Sequence, residues 1–396
     1  MRVLLIHNYY QQAGGEDQVF QAESDLLKSN GHPVWHYTLN NDQIGEMSAI
    51  ALLGNTIWNQ QVYQELRSLI QQHQIQVAHF HNTFPLISPS AYYACKAEQV
   101  PVIQTCHNYR LLCPNAMFLR DGKVCEDCMG KSIPLPSIQH KCYRNSRIAS
   151  AGVAAMLATH RLAQTWHRQI NTYIALTEFA RQKLIQGGIP ADKVIVKPNF
   201  VHPDPGCGEG KGGYALFVGR LSTEKGIDLL LSAWQHLGHK IPLKIVGDGP
   251  LANQVANAVN STPGLLWLGR KSMEDVYDLM KEALFLVFPS RWYEGLPRTI
   301  IESFAVGTPV IAANLGSMAS LITPEETGLH FRPRSVEDLI AKVEWATNNL
   351  DTMLKLRQKA RTEFIEQYTA EESYRKLLDV YTQISSTQTA KDEIKL

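Results

Sequence analysis

Residues 214–226, YALFVGRLSTEKG, contain the order of elements from which we infer the fold. An apolar run ends at Val218, a glycine follows at once, and a helical pattern begins at Ile227. A strand, a tight turn and a helix in this order are typical of the repeating unit of a parallel α/β sheet. Two more apolar runs in this half lead into GDGP at 247–250 and into FPSRWYEGLPRTIIE at 288–302. This half therefore predicts a doubly wound domain, with its ligand site at the carboxyl ends of the strands.

The first half of the chain shows the same alternation of apolar runs and helical patterns. Val3–His7 and Val100–Cys106 predict strands, and Glu16–Ser29 predicts a helix. The alternation is interrupted at about 110–147, where Cys, Pro, Gly and charged residues dominate. A Pro- and Gly-rich segment then separates the two halves, because these residues punctuate regular structure.

These patterns predict two doubly wound α/β domains. We expect an N-terminal domain over residues 1–198 with a Cys-rich insertion at about 110–147, a linker at 199–212, and a C-terminal domain over residues 213–370. Residues 371–396 are expected to form a helix that packs back on the N-terminal domain, with a frayed tail after Ser385.

The composition of the chain excludes several classes of protein. The 396 residues are 44% hydrophobic and 19% charged, which are ordinary values for a globular protein of two or three domains. Lys plus Arg number 38 and Asp plus Glu number 37, so the net charge of +1 argues against a general nucleic-acid binder. No apolar run reaches the roughly 18 residues of a membrane span, and the N-terminus lacks a signal-peptide pattern. We therefore expect a cytoplasmic protein.

Three clusters in the second half carry groups that bind anionic ligands. Arg220 and Lys225 follow a predicted strand, and cations at such a turn can hold phosphate oxygens. Gly247-Asp248 forms the next strand-to-helix turn, and the third cluster contains Glu294 and Glu302. Each cluster alone is common in proteins, but three in this order, each after a strand, are not.

Together with a Gly-rich loop after the first strand and a histidine at position 107, these motifs resemble the retaining nucleotide-sugar glycosyltransferases of the group-1 family. The resemblance covers nearly the whole chain and is most specific in the second half. It implies the GT-B fold, in which two Rossmann-like domains face each other across a cleft. It also implies a hexosyltransferase that moves a sugar from a nucleoside diphosphate sugar to a glycan or lipid-linked acceptor, as in polysaccharide biosynthesis.

The resemblance implies roles for single residues. Arg220 and Lys225 would hold the donor diphosphate. Glu294 would contact the transferred sugar, and Glu302 would accept hydrogen bonds from the ribose hydroxyls. Further donor-binding positions implied in this way are the amides of Gly295 and Leu296 at a helix start, and also Gly14, Gly15, Gly219, Gly247 and Asp248.

The departing diphosphate gains negative charge, which needs either a divalent metal or fixed cations and a helix terminus. The chain contains no Asp-x-Asp pair, the usual metal-holding motif. We therefore expect catalysis that requires no metal or other cofactor. The sequence leaves open whether retention proceeds by displacement on one face or by double displacement, and the resemblance favours the former.

Two features of the first half are assigned to the predicted site. Gly14-Gly15 either form a simple entry turn to a helix or, by the resemblance, approach the donor phosphates and the acceptor. His107 follows the fourth strand and matches the family's histidine near the donor sugar and the reacting oxygen. His79 and His81 flank Phe80, and we expect them to point to opposite faces of the sheet.

Four cysteines fall in the insertion with the spacing Cys-x11-Cys-x2-Cys-x13-Cys: Cys113, Cys125, Cys128 and Cys142. A Cys-x2-Cys knuckle and two further thiolates could wrap one tetrahedral zinc ion. Buried thiols or, in an oxidising compartment, two disulfides are the alternatives. A zinc ion here would be structural, because the cysteines are remote in sequence from the predicted catalytic cations.

Residues 129–177 contain no Asp or Glu but six Lys or Arg: Lys131, Lys141, Arg144, Arg147, Arg161 and Arg168. The segment is either a solvated helix face or a surface for anionic lipid headgroups or a lipid diphosphate acceptor, with Trp166 as an interfacial anchor. The second alternative predicts peripheral association with the inner face of the membrane.

Two other functions are compatible with the same fold. One is a nucleotide-sugar epimerase that needs no acceptor, and the other is a non-catalytic scaffold that binds a sugar nucleotide. The combination of Arg220 and Lys225 with Glu294 and Glu302 favours transfer over both.

Overall fold

The structure is a computed structural model of the chain, and it describes residues 1–11 and 14–393, with side chains as far as Ser385. Two compact units divide the chain. Unit 1 contains residues 1–118, 125–198 and those from Ser373 onward, and unit 2 contains residues 119–124 and 199–372.

Eight strands lie in residues 1–198: β1 Val3–Tyr9, β2 Val34–Asn40, β3 Val77–Asn82, β4 Val102–Cys106, β5 Leu119–Arg120, β6 Lys123–Val124, β7 Thr172–Ala175 and β8 Val194–Val196. Six of them form the sheet of unit 1, in the order β2-β1-β3-β4-β7-β8. All pairings in this sheet are parallel. β1 pairs with β2 on one side and β3 on the other, so Leu4 lies opposite both Trp35 and Ala78. β5 and β6 form a separate antiparallel hairpin within the predicted insertion.

The helices of residues 1–198 are α1 Gly15–Ser29, α2 Ala49–Ile57, α3 Gln60–His73, α4 Ser90–Ala97, α5 Leu135–Gln139, α6 Arg147–Leu162, α7 Thr165–Arg168 and α8 Glu178–Gln186. Side-chain caps begin several of them. The hydroxyl of Ser146, for example, accepts from the amide of Ala149 at 3.2 Å and starts α6.

The sheet of unit 2 has the strands β9 Ala215–Val218, β10 Leu243–Val246, β11 Leu265–Trp267, β12 Phe285–Phe288, β13 Val310–Ala313 and β14 Gly328–Phe331. Its order is β11-β10-β9-β12-β13-β14, with all pairings parallel. This is the Rossmann order, whereas unit 1 begins with the flavodoxin-like order. The predicted α/β class with two doubly wound sheets is confirmed.

The helices of unit 2 are α9 Ile227–Leu237, α10 Ala252–Ser261, α11 Met273–Glu282, α12 Arg298–Ala305, α13 Ser317–Leu321, α14 Val336–Asn348 and α15 Leu350–Gln367. The segment predicted as a linker is attached to this unit by backbone hydrogen bonds. The amide of Gly208 donates to Val306, that of Gly210 donates to Lys281, and that of Gly212 donates to Glu282, each at 2.9 Å.

The last helix, α16 Ala370–Glu393, enters unit 1 at Ser373. Leu377 and Tyr381 are fully buried in the same apolar cluster as Val3, Leu5 and Phe20. The helix continues beyond Ser385, where the sequence predicts a frayed tail, and residues 394–396 lie outside the described residues.

Each sheet reverses its strand order at one point. β1 lies between β2 and β3 in unit 1, and β9 lies between β10 and β12 in unit 2. The loops that leave two such strands run in opposite directions and leave a crevice at the carboxyl edge of the sheet, which is where ligands bind in open α/β sheets. Ligand sites are therefore expected at the loops after β1 and β3 and at those after β9 and β12.

In the described part of the chain, no helix combines the length and the apolar character that crossing a bilayer requires.

Candidate functional site

The loops at the carboxyl edge of the unit 2 sheet are locked together by glycines. Gly247, directly after β10, has a φ of +138°, and a Cβ at this position would overlap the carbonyl oxygen of Gly219, directly after β9. The amide of Gly219 donates to Val246 at 3.0 Å, and that of Gly247 donates to Gly269 at 2.8 Å. The backbones of the two loops are therefore in close contact at these glycines, which fits the strand-to-helix turns that the sequence predicts there.

A lysine and a glutamate bridge the strand-order reversal of unit 2. Lys225 ends a short 3₁₀ turn after β9, and Glu294 lies in the loop after β12. Lys225 Nζ donates to Glu294 Oε1 at 2.6 Å. The two loops can approach because Gly226, whose φ is +74°, has no Cβ. A Cβ at this position would overlap the carbonyl of Pro289. These two predicted residues are thus brought together at the expected crevice.

Two further residues hold Glu294 in place. The hydroxyl of Ser290 donates to Glu294 Oε1 at 2.7 Å, and the indole of Trp292 donates to the same oxygen at 2.9 Å. The backbone of Glu294 is also fixed, because Ser317 donates to its carbonyl at 2.8 Å. Sequence reasoning did not single out these three residues, although Ser290 and Trp292 stand in the same cluster as Glu294.

Glu302 is buried on α12 and has its own partner. Its Oε1 lies 3.2 Å from Nη2 of Arg298, one turn earlier on the helix. Burial raises the pKa of Glu302, and the positive charge of Arg298 opposes that shift. Tyr277 lies near enough for the charge of Glu302 to add to the rise in its own pKa, to about 12, of which burial is the larger cause.

The helix that follows Glu294 begins later than the sequence predicts. Pro297 caps α12 and Arg298 is its first residue, so Gly295 and Leu296 lie before the helix and not at its start. Within the described ranges, no protein oxygen accepts a hydrogen bond from either of their amides. Two backbone donors are therefore available next to Glu294.

Arg220 and Asp248 occupy exposed positions on neighbouring loops. Among the residues that the structure describes, none forms an ion pair with the guanidinium of Arg220. Asp248 accepts from the amide of Gly249 at 2.7 Å and lies 3.4 Å from Arg270, so its side chain braces the turn.

At the carboxyl edge of unit 1, the Gly14-Gly15 turn starts α1. Asp17 Oδ2 accepts from the amide of Gly14 at 2.8 Å, and Asp17 Oδ1 lies 2.7 Å from Nε2 of the fully buried His7. The turn is thus a capped helix entry, tied to β1 through His7. Residues 12 and 13, which precede it, lie outside the described ranges.

His107 follows β4 directly and contacts a second histidine. Its Nε2 lies 2.9 Å from Nδ1 of His81 on β3. Burial, and next the positive charge that His81 would carry, hold the pKa of His107 well below its ordinary value. His107 is therefore neutral near pH 7.

His79 and His81 lie on the same face of the sheet, so the expectation of opposite faces is wrong. Nδ1 of His79 and Nε2 of His81 lie 3.0 and 3.3 Å from one oxygen of Glu23 on α1. Side chains alternate along a strand with a period of two, so residues on either side of Phe80 share a face.

Glu16 is a candidate that sequence reasoning passed over. Burial raises its pKa to about 7, and Asn108 Nδ2 lies 3.4 Å from its Oε2. Its Oε1 is buried and has no hydrogen-bond partner among the described residues. The available signal was its position, an acid directly after Gly14-Gly15 and beside the residue that follows His107.

Three cysteines of the insertion act electrostatically on the fourth, Cys128. Burial raises the pKa of Cys128 to about 11, and the negative charges that Cys113, Cys142 and Cys125 would carry add to the rise. The knuckle is tied to α8 by a 2.8 Å contact between Glu126 and Lys183. Three thiols thus disfavour the ionisation of the fourth, an effect that a bound thiophilic cation would reverse. Among the described residues, however, the structure does not bring three of these sulfurs within 4.8 Å of one another.

The basic segment differs from the expectation in two residues. Trp166 is buried between His160 and Tyr92, so it cannot act as an interfacial anchor. Arg161 donates to the backbone carbonyls of Leu111 and Lys131. The five other cations of the segment are exposed: Lys131, Lys141, Arg144, Arg147 and Arg168.

Two family profiles match the chain in succession. Residues 14–205 match Glycosyltransferase Family 4, and residues 208–363 match Glycosyl transferases group 1. An uncharacterised glycosyltransferase of Methanocaldococcus jannaschii is 30% identical over 196 residues, which are 49% of this chain and 55% of the relative. The matched part of the chain thus spans about half the length of the curated relatives.

Solved structures match over almost the whole chain. Anabaena HepE in complex with UDP has a TM-score of 0.68 at 15% identity and covers 97% of this chain and 100% of its own. Sucrose-phosphate synthase from Thermosynechococcus elongatus has a TM-score of 0.70 at 14% identity, with coverages of 98% and 99%. These likenesses confirm the GT-B fold. Since glycosyltransferase profiles match both halves, the chain belongs to the group-1 glycosyltransferase family.

Proposed function

We propose that this protein is a retaining hexosyltransferase that moves a sugar from a nucleoside diphosphate sugar to a glycan or lipid-linked acceptor. The observation that carries the proposal is the 2.6 Å contact of Lys225 with Glu294 across the strand-order reversal of unit 2. HepE, which has the same fold, is in complex with UDP in one solved structure and with UDP-glucose in another, which supports this class of donor.

Fixed cations and backbone donors neutralise the departing diphosphate in this proposal. Arg220 is exposed and can offer its bidentate fork to phosphate oxygens, while Glu294 fixes the position of the Lys225 ammonium. The amides of Gly295 and Leu296 add two donors. Preorganised groups of this kind stabilise a developing anion without a metal, so we propose that transfer requires none.

The carboxylates and glycines of unit 2 bind the rest of the donor. Glu294, held by Ser290 and Trp292, contacts the transferred sugar. Glu302, whose charge Arg298 balances, accepts from the ribose hydroxyls. The close turns at Gly219 and Gly247, braced by Asp248, let the backbone approach the nucleotide, and Gly14-Gly15 act in the same way from unit 1.

The reaction exchanges one bond to the anomeric carbon for another. The bond from that carbon to the diphosphate oxygen breaks, and a bond to the acceptor oxygen forms on the same face of the sugar. The proton of the acceptor hydroxyl passes to the departing phosphate oxygen. His107 and Glu16, at the carboxyl edge of unit 1, are the proposed contacts for the sugar hydroxyls.

A product assay tests the proposal. Nucleotide sugars are first screened for thermal stabilisation of the protein, because a ligand bound only by the native state raises its stability. The stabilising donor is then incubated with candidate acceptors in excess chelator, and free nucleoside diphosphate is measured. Acceptor-dependent release that survives chelation is expected. An epimerised donor without release would indicate an epimerase, and stabilisation without turnover would indicate a scaffold.

We also propose that Cys113, Cys125, Cys128 and Cys142 hold one structural zinc ion. The raised pKa of Cys128, to which the other three thiols contribute, supports this, since a bound cation would stabilise the thiolate. Elemental analysis of protein washed in chelator should find about one zinc per chain, and Cys128→Ser should lower that content and the melting temperature together. Free titration of all four thiols in the native protein, with no zinc, would exclude the site.

The basic segment is the proposed contact with a membrane that carries anionic lipid. Ile148, which is 82% exposed, stands next to Arg147, and the exposed Ile133 and Leu135 stand close in sequence to Lys131. Apolar side chains among cations are what an anionic lipid surface binds. Such contact would place the enzyme beside a lipid-linked acceptor.

A further inference from the structure

A buried chain of polar groups leads from the inside of unit 1 to His107. Lys197 Nζ lies 2.9 Å from Glu23 Oε2, and both side chains are almost fully buried. Glu23 Oε1 faces His79 and His81, and His81 in turn contacts His107. Lys197 and Glu23 stand 174 residues apart in sequence, so the fold alone brings the chain together.

Glu23, His79 and His81 also form a set of ligand types whose donor atoms lie within 4.8 Å of one another, as in a metal site. However, a lysine already supplies the positive charge that a metal ion would bring to this cluster. The Lys197 ammonium balances the carboxylate, and His79 Nε2 lies 2.7 Å from the hydroxyl of Thr105. We therefore treat the cluster as a network of charges and hydrogen bonds, in which Glu23 Oε1 meets the two histidines by electrostatic contact and not by a hydrogen bond.

The network fixes which nitrogen of each histidine carries a proton. Lys197 and, after it, His79 hold the pKa of Glu23 well below its ordinary value against the effect of burial, so Glu23 is a carboxylate and can only accept. Nε2 of His81 lies 3.3 Å from Glu23 Oε1 without forming a hydrogen bond to it in this structure, but the negative charge of the carboxylate favours a proton on that nitrogen. Burial lowers the pKa of His81 to about 4, so the ring is neutral and its Nδ1 is an acceptor.

His107 must then donate from Nε2 to His81 Nδ1. Their ring planes are within 19° of each other and their centroids are 5.2 Å apart, so with nitrogens at 2.9 Å the rings meet edge to edge, as this hydrogen bond requires. His107 is neutral, and its Nδ1 is left as a bare acceptor. Among the described residues, no protein donor contacts that Nδ1.

We infer that Glu23, Lys197 and His81 are positioning residues that hold His107 as the Nε2–H tautomer, so that its Nδ1 accepts a hydrogen bond from a sugar hydroxyl of the reaction. Other ionisable groups lie near the network on neighbouring elements: His7 on β1, Asp17 on α1 and Tyr381 on α16. This inference rests on the proposed transferase function, because only a bound sugar gives the acceptor nitrogen a use.

Two substitutions separate this role from packing. In Glu23→Gln the amide oxygen turns to Lys197, because a buried ammonium needs an acceptor, and the amide N–H₂ faces His81. His81 must then accept at Nε2 and donate at Nδ1, which forces His107 to carry its proton on Nδ1. In Glu23→Gln combined with Lys197→Met, the amide is free to turn its oxygen to His81, and the original tautomer returns.

The experiment measures tautomers by ¹⁵N NMR of histidine-labelled protein and turnover in parallel. The His107 signals are assigned by their loss in His107→Gln. Glu23→Gln is expected to switch the tautomer and lower kcat by roughly 10- to 100-fold, the effect of losing a partner that orients a functional imidazole. The double variant should recover both. Asp25→Asn, an exposed carboxylate on the same helix, is the control and should change neither.

Several outcomes would overturn the inference. One is a proton on Nδ1 of His107 in the parent protein, and another is unchanged kcat in Glu23→Gln despite a switched tautomer. A double variant no more active than Glu23→Gln would show that the residues serve packing alone. Because the tautomer is read without substrate, absence of any transferase activity would refute the proposed function and leave the NMR result to stand by itself.

Discussion

The two units carry their polar groups in different ways at equivalent places. In unit 2 the strand-order reversal is lined by groups on loops, and Arg220 is exposed while Lys225 is partly so. In unit 1 the corresponding groups stand on the strands themselves, and His7, His79 and His81 are almost completely buried. The crevice of unit 2 exposes its charged side chains, whereas unit 1 buries its ionisable side chains within the sheet layer.

In the proposed transfer reaction, this difference corresponds to two kinds of contribution. A dianionic leaving group needs charges that it can touch, and loop cations at an open edge provide them. A sugar hydroxyl needs a single well-oriented acceptor, and a buried network can orient one without presenting a net charge to the ligand. We therefore expect substitutions in unit 2 to act on the leaving group and those in unit 1 to act on hydrogen-bond direction.

The largest effect is expected in unit 2. Lys225→Ala should lower kcat by about 10²-fold or more, because it removes one preorganised donor to the developing anion, and Arg220→Ala should do the same. Both variants should fold, since neither side chain belongs to the core. Lys240→Ala, an exposed lysine paired with Glu344, is the control. Rates near that of the parent in both variants would remove the diphosphate assignment.

A smaller effect concerns the outer surface of unit 1. Arg144→Glu with Arg147→Glu should weaken binding to vesicles of anionic lipid by roughly 30-fold or more, since each cation near the surface contributes about 1 kcal/mol. Binding should also fall with added salt. Lys355→Glu with Lys359→Glu, exposed on α15, is the matched reversal. Equal binding of the parent to neutral and anionic vesicles would leave the segment a solvated surface.

A third effect, on stability and not on activity or binding, is a pH dependence at Glu16. Its pKa in the folded protein, about 7, lies above its unfolded value of 4.5, so the folded state holds the proton more tightly. The free energy of unfolding should therefore fall as pH rises from about 4.5 to 7. Glu16→Gln removes this loss, so the melting temperature of the variant relative to the parent should rise over that window and level off above it. A constant difference would contradict the raised pKa.

The sequence predicts well what depends on local order. A motif that directly follows a strand must lie at the carboxyl edge of the sheet, which is why Gly219 and Gly247 meet there and why Lys225 reaches Glu294. Prediction from the sequence fails where two interacting residues come from distant segments of the chain. Nothing near Glu23 indicates that Lys197 will neutralise it, and nothing near Trp166 indicates that Tyr92 will cover it. α12 starts late because Pro297 caps it. The pattern of apolar residues, from which the helix is predicted, does not include this proline.

The return of α16 to unit 1 has a consequence for synthesis of the chain. Residues 1–198 are made before residues 199–372, but the apolar cluster around Val3 and Phe20 is not closed until Leu377 and Tyr381 have been made. His79 likewise gains its contact with the Tyr381 hydroxyl, at 2.8 Å, only then. All of residues 199–372 are made before that point. On the ribosome the second unit can thus complete its fold before the first, the reverse of the usual N-terminal-first order.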